Sequence, residues 1–101
     1  MKISEVGITP IKPQNGLVGF ASMVIDGNIY LGSIAVYVKP DGSYRLLYPA
    51  KKTGNKQMDI FHPINYFASK EIEKAIFDKC KKVFEGSNEN DRYNKNGSYI
   101  K

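Results

Sequence analysis

Three lysines, Lys51, Lys52 and Lys56, lie within six residues of one another, just before an apolar run. Ammonium groups that a loop holds in solvent can contact successive phosphates of a nucleic acid. A solvated loop whose lysines only increase solubility is the alternative, and charge alone does not decide between the two. We interpret the segment from Lys51 to Gln57 as such a loop.

His62 is the only histidine, and it follows Asp59 by three residues, a pair that could suggest acid–base catalysis. Catalysis of this kind needs a nucleophile or a metal in company. One histidine with one cysteine, Cys80, supplies neither a metal shell nor a Cys-His pair with supporting spacing. We predict that His62 is a structural residue at a strand end and that Asp59 holds the loop by accepting backbone or lysine hydrogen bonds.

Phosphate-binding motifs are also missing from the sequence, because no glycine-rich loop leads into a helix with a Lys-Ser/Thr pair. We therefore predict no catalytic residue, no enzyme activity, no metal, no cofactor and no small-molecule substrate. A small hydrolase that uses His62 and Asp59 is the remote alternative.

One amphipathic helix is predicted from about Ala68 to Phe84, with Asn65 or Ser69 as the N-cap and Gly86 as the stop. At about 100° per residue, the apolar and the basic positions fall on opposite sides of this helix. The apolar positions are Ile72, Ile76, Cys80 and Val83, and the basic positions are Lys70, Lys74 and Lys81. The apolar side is expected to pack on a sheet, which leaves a ridge of three lysines in solvent. The alternative is an ordinary surface helix whose lysines have no binding role, since acidic residues lie nearby.

Aromatic residues flank the lysine segment, and two of them, Tyr66 and Phe67, lie outside the predicted strands. Exposed rings in such places can stack on unpaired bases. Aromatic residues of a small domain are more often core or cross-strand partners. Tyr66 and Phe67 are therefore candidate stacking residues, with core packing as the alternative.

The first half of the chain reads as strands joined by tight turns. The predicted strands are Lys2 to Ile11, Leu17 to Ile25, Ile29 to Val38, Tyr44 to Tyr48 and Met58 to Phe61. Asp26-Gly27-Asn28 and Pro40-Asp41-Gly42 supply the turn residues between them. The fold class follows as α+β, with a four- to five-stranded antiparallel sheet and one C-terminal α-helix packed against it.

The third predicted strand is apolar on both of its faces, which is typical of a central strand. Strict alternation would place Tyr30, Gly32, Ile34, Val36 and Val38 on one face, and Ile29, Leu31, Ser33, Ala35 and Tyr37 on the other.

The chain of 101 residues, 42% of them hydrophobic, has room for one domain, which we predict at residues 1–85. Residues 86–101 are polar and predict a flexible tail. The formal charge of +5 favours anionic partners. No apolar run is long enough to span a membrane and no signal peptide begins the chain, so the sequence predicts a cytoplasmic protein. The single cysteine fits a reducing compartment.

Two short segments with matching spacing resemble the signature of the stage V sporulation protein G (SpoVG) family: Pro49-Ala50-Lys51-Lys52-Thr53 and Asp59-Ile60-Phe61-His62-Pro63-Ile64. The resemblance extends from about Ile3 to about Phe84. It implies a dimeric regulator that binds DNA and RNA and that acts in gene expression, septation and sporulation. It also implies that Lys51, Lys52, Lys70 and Lys74 contact nucleic acid.

The sequence departs from that family at Gly7, Val18 and Ala35, where relatives often carry a basic residue. These departures reduce the positive charge of the strand surface. Binding of nucleic acid would then depend on the lysine segment and the helix. A protein-interaction module that acts through an exposed sheet edge and the helix is the alternative function.

Overall fold

The computed structural model describes residues 1–85, which form two sheets and one helix. Strands β1 to β4 span Ile3–Gln14, Leu17–Ile25, Ile29–Val38 and Tyr44–Leu47, strands β5 and β6 span Ala50–Thr53 and Lys56–Asp59, and helix α1 spans Tyr66–Cys80 before a π-helical turn, Lys81–Glu85. The predicted α+β class with one C-terminal helix is confirmed. The predicted stop at Gly86 and the predicted tail lie outside the described residues.

The main sheet is an antiparallel meander with the strand order β1-β2-β3-β4. The turn predicted at Asp26-Gly27-Asn28 joins β2 to β3, and Asp26 and Gly27 have φ of 52° and 67°. The Asn28 N–H donates to the Ile25 carbonyl oxygen at 2.9 Å and closes the turn. Two successive positive φ angles define the type I′ geometry, whose twist matches that of the flanking strands. The predicted bounds of β2 and β3 are confirmed.

Strand β1 continues three residues beyond its predicted end at Ile11, because the turn after it is Asn15-Gly16. These two residues have φ of 53° and 90°, the same type I′ pattern. Pro13 had indicated an end to the strand. Proline has no N–H to donate, but β1 is an edge strand and tolerates the missing donor. The register of its pairing with β2 shifts between Pro10 and Gln14.

A bulge at Ser33 makes the predicted alternation of β3 wrong. Ser33 has φ of 62°, and the pairing with β2 steps from Ala21↔Ile34 to Met23↔Leu31, which leaves one extra residue in β3. As a result Leu31 packs against the same core cluster as Ile34. The central position of β3, between β2 and β4, is as predicted.

Gly19 of β2 lies directly against the backbone of Thr9 and Pro10 in β1. A Cβ atom at this position would meet the backbone oxygen of Thr9 at 2.7 Å. Gly19→Ala is therefore expected to cost about 1–3 kcal/mol of unfolding free energy, because a backbone atom cannot rotate away. Urea unfolding measures the loss of unfolding free energy. Gly7→Ala is the matched control, because the nearest atom to its added Cβ would be the Ser22 hydroxyl oxygen at 3.1 Å, a side-chain atom that can rotate away. Equal losses in the two variants would contradict the expectation.

The core lies between the sheet and one side of α1. Its fully buried side chains come from β2, β3 and the helix: Met23, Ile34, Val36, Ile76 and Cys80. Three of the four predicted helix positions are confirmed as buried, the fourth being Val83, which is 39% exposed. A π-helical turn closes over five residues rather than four, so the apolar stripe shifts and Phe84 packs on the core instead.

Both ends of the helix are fastened by side chains. At the start, the Asn65 side-chain oxygen accepts from the Ala68 N–H at 2.8 Å, which confirms Asn65 as the N-cap. At the end, the Tyr44 hydroxyl of β4 donates to Glu85 Oε2 at 2.5 Å. Burial, and then this bond, raise the pKa of Tyr44. Among residues 1–85, no helix has the length and apolar content needed to cross a bilayer.

Candidate nucleic-acid interface

The lysine segment is a β-hairpin, and the predicted loop from Lys51 to Gln57 is wrong. Strands β5 and β6 pair only with each other and form a sheet separate from the main one. Gly54 has φ of 61° at the first position of the two-residue turn, as a type II′ hairpin requires. The predicted strand from Met58 to Phe61 is shifted accordingly, since β6 ends at Asp59.

The hairpin divides its lysines between two faces. Lys51 pairs with Met58, and Thr53 pairs with Lys56. Paired residues, and residues two apart on one strand, share a face, so Lys51 and Lys56 lie on the same face. Lys52 follows Lys51 directly and lies on the opposite face. All eight strand residues of the hairpin are exposed, so every ammonium group is accessible to a ligand.

The base of the hairpin is closed by one hydrogen bond and one aromatic contact between the residues that flank it, and both rings of that contact pack against the core of the main domain. The Ile60 N–H donates to the Pro49 carbonyl oxygen at 3.0 Å, and the rings of Tyr48 and Phe61 meet edge to face at 6.1 Å. The Tyr48 hydroxyl is buried without a hydrogen-bond partner in the described part of the chain. Burial, with a smaller effect of Glu73, raises the pKa of Tyr48 to about 12.

The predicted lysine ridge of α1 is exposed, and two of its members form ion pairs along the helix. Lys70 Nζ lies 3.3 Å from Glu73 Oε1, and Lys74 Nζ lies 3.0 Å from Asp78 Oδ2. The hydrogen bond from Lys74 lowers the pKa of Asp78. Exposed pairs of this kind are weak. A phosphate can therefore compete for these lysines, while Lys81 has no carboxylate partner within residues 1–85.

Tyr66 and Phe67, the candidate stacking residues, form the exposed first turn of α1. Their side chains are 68% and 81% exposed, and their rings meet edge to face at 5.9 Å. Lys70 Nζ lies 5.6 Å from the centre of the Tyr66 ring. Neither ring belongs to the core cluster, so the core alternative is wrong for both. One cation and two rings stand together at this end of the helix.

The hairpin and the helix are linked through residues 60–65 and not by direct polar contact. Among residues 1–85, no hydrogen bond or ion pair joins β5 or β6 to α1. The candidate lysines therefore form two groups, one on the hairpin and one on the helix, which no polar contact of the described chain joins.

His62 and Asp59 lie between these two groups and form an exposed pair. His62 Nε2 is 3.5 Å from Asp59 Oδ2, and His62 Nδ1 is 3.0 Å from the Pro63 carbonyl oxygen. Within residues 1–85 the Asp59 side chain accepts no hydrogen bond from a lysine or from the backbone, so its predicted role in holding the loop is wrong. Cys80 is buried in the core, and burial raises the pKa of its thiol to about 11. Cys80 therefore cannot act as a nucleophile beside His62.

A groove beside the start of α1 is the feature that the sequence did not predict. Its volume is about 330 Å³, and its lining is almost entirely apolar: Met1, Ile29, Tyr48, Phe61, Ile64 and Ile72. Ile64, at its rim, is 86% exposed. Phe61 and Ile64, on either side of the His62-Pro63 step, were the available signal, but we assigned Phe61 to a strand and Ile64 only to the family signature.

The fold and the hairpin define a small α+β protein in which one helix covers a meandering sheet and a lysine-bearing ribbon precedes the helix. A sequence model of the SpoVG family matches residues 1–82. The chain therefore belongs to the SpoVG family, as its two short segments had indicated.

Three relatives carry the name "Putative septation protein SpoVG". The protein of Finegoldia magna is 35% identical over 84% of this chain and 79% of its own length. The protein of Acetivibrio thermocellus is 28% identical over 93% of this chain and 100% of its own length. The protein of Clostridium perfringens is 30% identical over 82% of this chain and 92% of its own length. These relatives are named as septation proteins and not as enzymes.

Proposed function

We propose that this protein is a cytoplasmic regulator that binds DNA and also RNA, and so affects gene expression and septation or sporulation. The observation that carries the proposal is the exposed hairpin, in which Lys51 and Lys56 share a face. Lys52, on the other face, and the helix lysines Lys70, Lys74 and Lys81 are the further contacts that we propose. Family membership supports this function because the family resemblance implies it.

The shape of the hairpin also supports contact with DNA. A two-stranded ribbon has a width that the major groove of B-DNA admits. With every strand residue exposed, nothing in residues 1–85 blocks the approach of a duplex to β5 and β6. Lysines contact phosphates and give affinity without sequence readout, so affinity should depend strongly on salt.

Charge reversal at the hairpin tests the proposal. Purified protein should bind labelled double-stranded DNA, single-stranded DNA or RNA with a micromolar or lower Kd at low salt. Lys51→Glu/Lys52→Glu should abolish binding, and Lys12→Glu/Lys39→Glu, with the same charge change on exposed residues elsewhere, should weaken it less. Absence of binding to all three nucleic acids at low salt would refute the function.

The second candidate function is a protein-interaction module, which the unpaired outer edge of β4 favours within residues 1–85. The same variant separates the two functions. A partner strand on that edge would tolerate Lys51→Glu/Lys52→Glu, whereas a nucleic acid would not.

We further propose a homodimer in which the apolar groove is the interface. Ile64 projects from the groove's rim, and Met1 and Ile29 within it are 52% and 55% exposed. A protruding side chain beside a groove is self-complementary, because a two-fold axis places each Ile64 in the groove of the other copy. The lining residues include no lysine, arginine, aspartate or glutamate, so two cationic chains can meet here with little repulsion.

Ile64→Lys should therefore convert the dimer to a monomer, because it places a charge in an apolar interface. Light scattering coupled to size exclusion measures the mass. Val83→Lys, at another exposed apolar position, is the control and should remain dimeric. A wild-type monomer, or a dimer unaffected by Ile64→Lys, would contradict this interface.

A further inference from the structure

The main sheet has an outer face, the side away from α1, that no other element covers within residues 1–85. Its side chains are absent from the core cluster between sheet and helix. They are mostly apolar or aromatic: Leu17, Phe20, Val24, Tyr30, Tyr37 and Leu47. An uncovered face of this composition is a candidate binding surface.

Three aromatic rings of this face lie on the two central strands, and two of them, Phe20 and Tyr37, flank Ala35. Phe20 of β2 pairs with Ala35 of β3, and Ala35 pairs with Leu47 of β4, so these three share one face. Tyr37 lies two residues beyond Ala35 and belongs to the same face, diagonal to Phe20. Ala35 is only 8% exposed, whereas Phe20 is 38% and Leu47 is 46% exposed. The larger side chains of Phe20 and Leu47 thus flank the small side chain of Ala35.

The one charged side chain that β2, β3 and β4 contribute is Arg45. It pairs with Tyr37, and its guanidinium carbon lies 4.9 Å from the centre of the Tyr37 ring. A guanidinium group beside a ring can contact a phosphate while a base stacks nearby. Because these three strands carry no carboxylate, nothing on them repels a polyanion.

We propose that this face binds single-stranded nucleic acid by stacking unpaired bases on Phe20 and Tyr37, with Arg45 contacting a phosphate. Four-stranded antiparallel sheets that expose aromatic side chains bind RNA in this manner. A duplex keeps its bases stacked inside and cannot offer their faces to a sheet. The inference rests on the proposed nucleic-acid function. Within that function, the outer sheet face would bind unpaired strands, and the hairpin would contact the phosphates of a duplex.

The decisive variant is Phe20→Leu/Tyr37→Leu, which keeps the surface apolar but removes both rings. Stacking contributes roughly 5- to 150-fold in affinity for each base. The Kd for an unstructured single strand should rise by at least the lower factor, and the Kd for a duplex of the same length should not change. Phe20→Tyr/Tyr37→Phe retains both rings and should bind the single strand as the wild type does.

Three results would overturn the proposal. Unchanged single-strand affinity in the leucine variant would refute stacking on this face, even if Lys51→Glu/Lys52→Glu abolished duplex binding and so supported the proposed function. A fall in molecular mass of the leucine variant would assign the face to a second copy of the chain. Equal losses for single strand and duplex would indicate a role that does not involve stacking.

Photo-crosslinking keeps the proposal testable if the leucine variant does not fold. Wild-type protein irradiated with a single strand that contains bromouridine should give adducts on peptides with Phe20 or Tyr37. Adducts confined to the hairpin or to α1 would contradict the proposal.

Discussion

Replacing Lys51 and Lys56 together by alanine is expected to reduce the salt dependence of DNA binding more than replacing Lys51 and Lys52. About five phosphate contacts predict a slope of log K against log salt of about −4.5, equal to a loss of several hundred-fold between about 50 and about 200 mM salt. Lys51 and Lys56 share a hairpin face. If that face binds, Lys51→Ala/Lys56→Ala removes two contacts and moves the slope to about −2.7, whereas Lys51→Ala/Lys52→Ala removes one.

Titrations at several salt concentrations measure the slopes of both variants. Lys12→Ala/Lys39→Ala removes the same charge from exposed sites outside the hairpin and the helix, so it controls for the general field of the protein. Equal slopes in the two hairpin variants would indicate that the ribbon contacts DNA with both faces. An unchanged slope in both would remove the hairpin from the interface.

Ile76→Ala is expected to cause the largest loss of stability among conservative core substitutions of α1. Ile76 is fully buried between the helix and the sheet. Truncating such a side chain costs about 2–5 kcal/mol, a large share of the about 5–15 kcal/mol that holds a small domain folded. The midpoint of urea unfolding should fall clearly, with little change in the m-value.

Val83→Ala is the matched control on the same helical segment. Uniform helical periodicity would bury Val83, but the π-helical turn leaves it 39% exposed. Its truncation should therefore cost well under half as much as that of Ile76. Similar losses for the two variants would mean that Val83 is packed in solution and that the turn is α-helical.

The sequence predicted the elements whose signals are local and strong. Asp26-Gly27 fixed one hairpin because its two positive φ angles suit these residues and few others. The spacing of Ile72 and Ile76 determined the buried side of the helix, and Asn65 was one of the two predicted N-caps, although the helix begins at Tyr66 and not at Ala68. For the site, the expected exposure of the lysines rested on a predicted loop and on the outer side of α1, and it holds although the loop is a hairpin.

Other features depend on contacts that a linear pattern does not contain. The hairpin at Lys51 was missed because its residues are exposed on both faces, so no apolar alternation marks them as strands. The bulge at Ser33 changes the face of Leu31, and the isolated glycine beside it, Gly32, was a bulge signal that strict alternation ignored. The π-helical turn was missed because a constant angle per residue was assumed, whereas Tyr44 and Glu85 define where the turn lies.

Complete burial of the only cysteine makes this protein convenient for site-directed spectroscopy. Cys80 has no exposed surface, and burial raises the pKa of its thiol to about 11, so maleimide reagents should not modify it in the folded chain. A cysteine introduced at Lys52 could then carry a fluorophore or a spin label while Cys80 stays in place. In the proposed dimer, the distance between the two labels would report how the hairpins are arranged before and after nucleic acid is added.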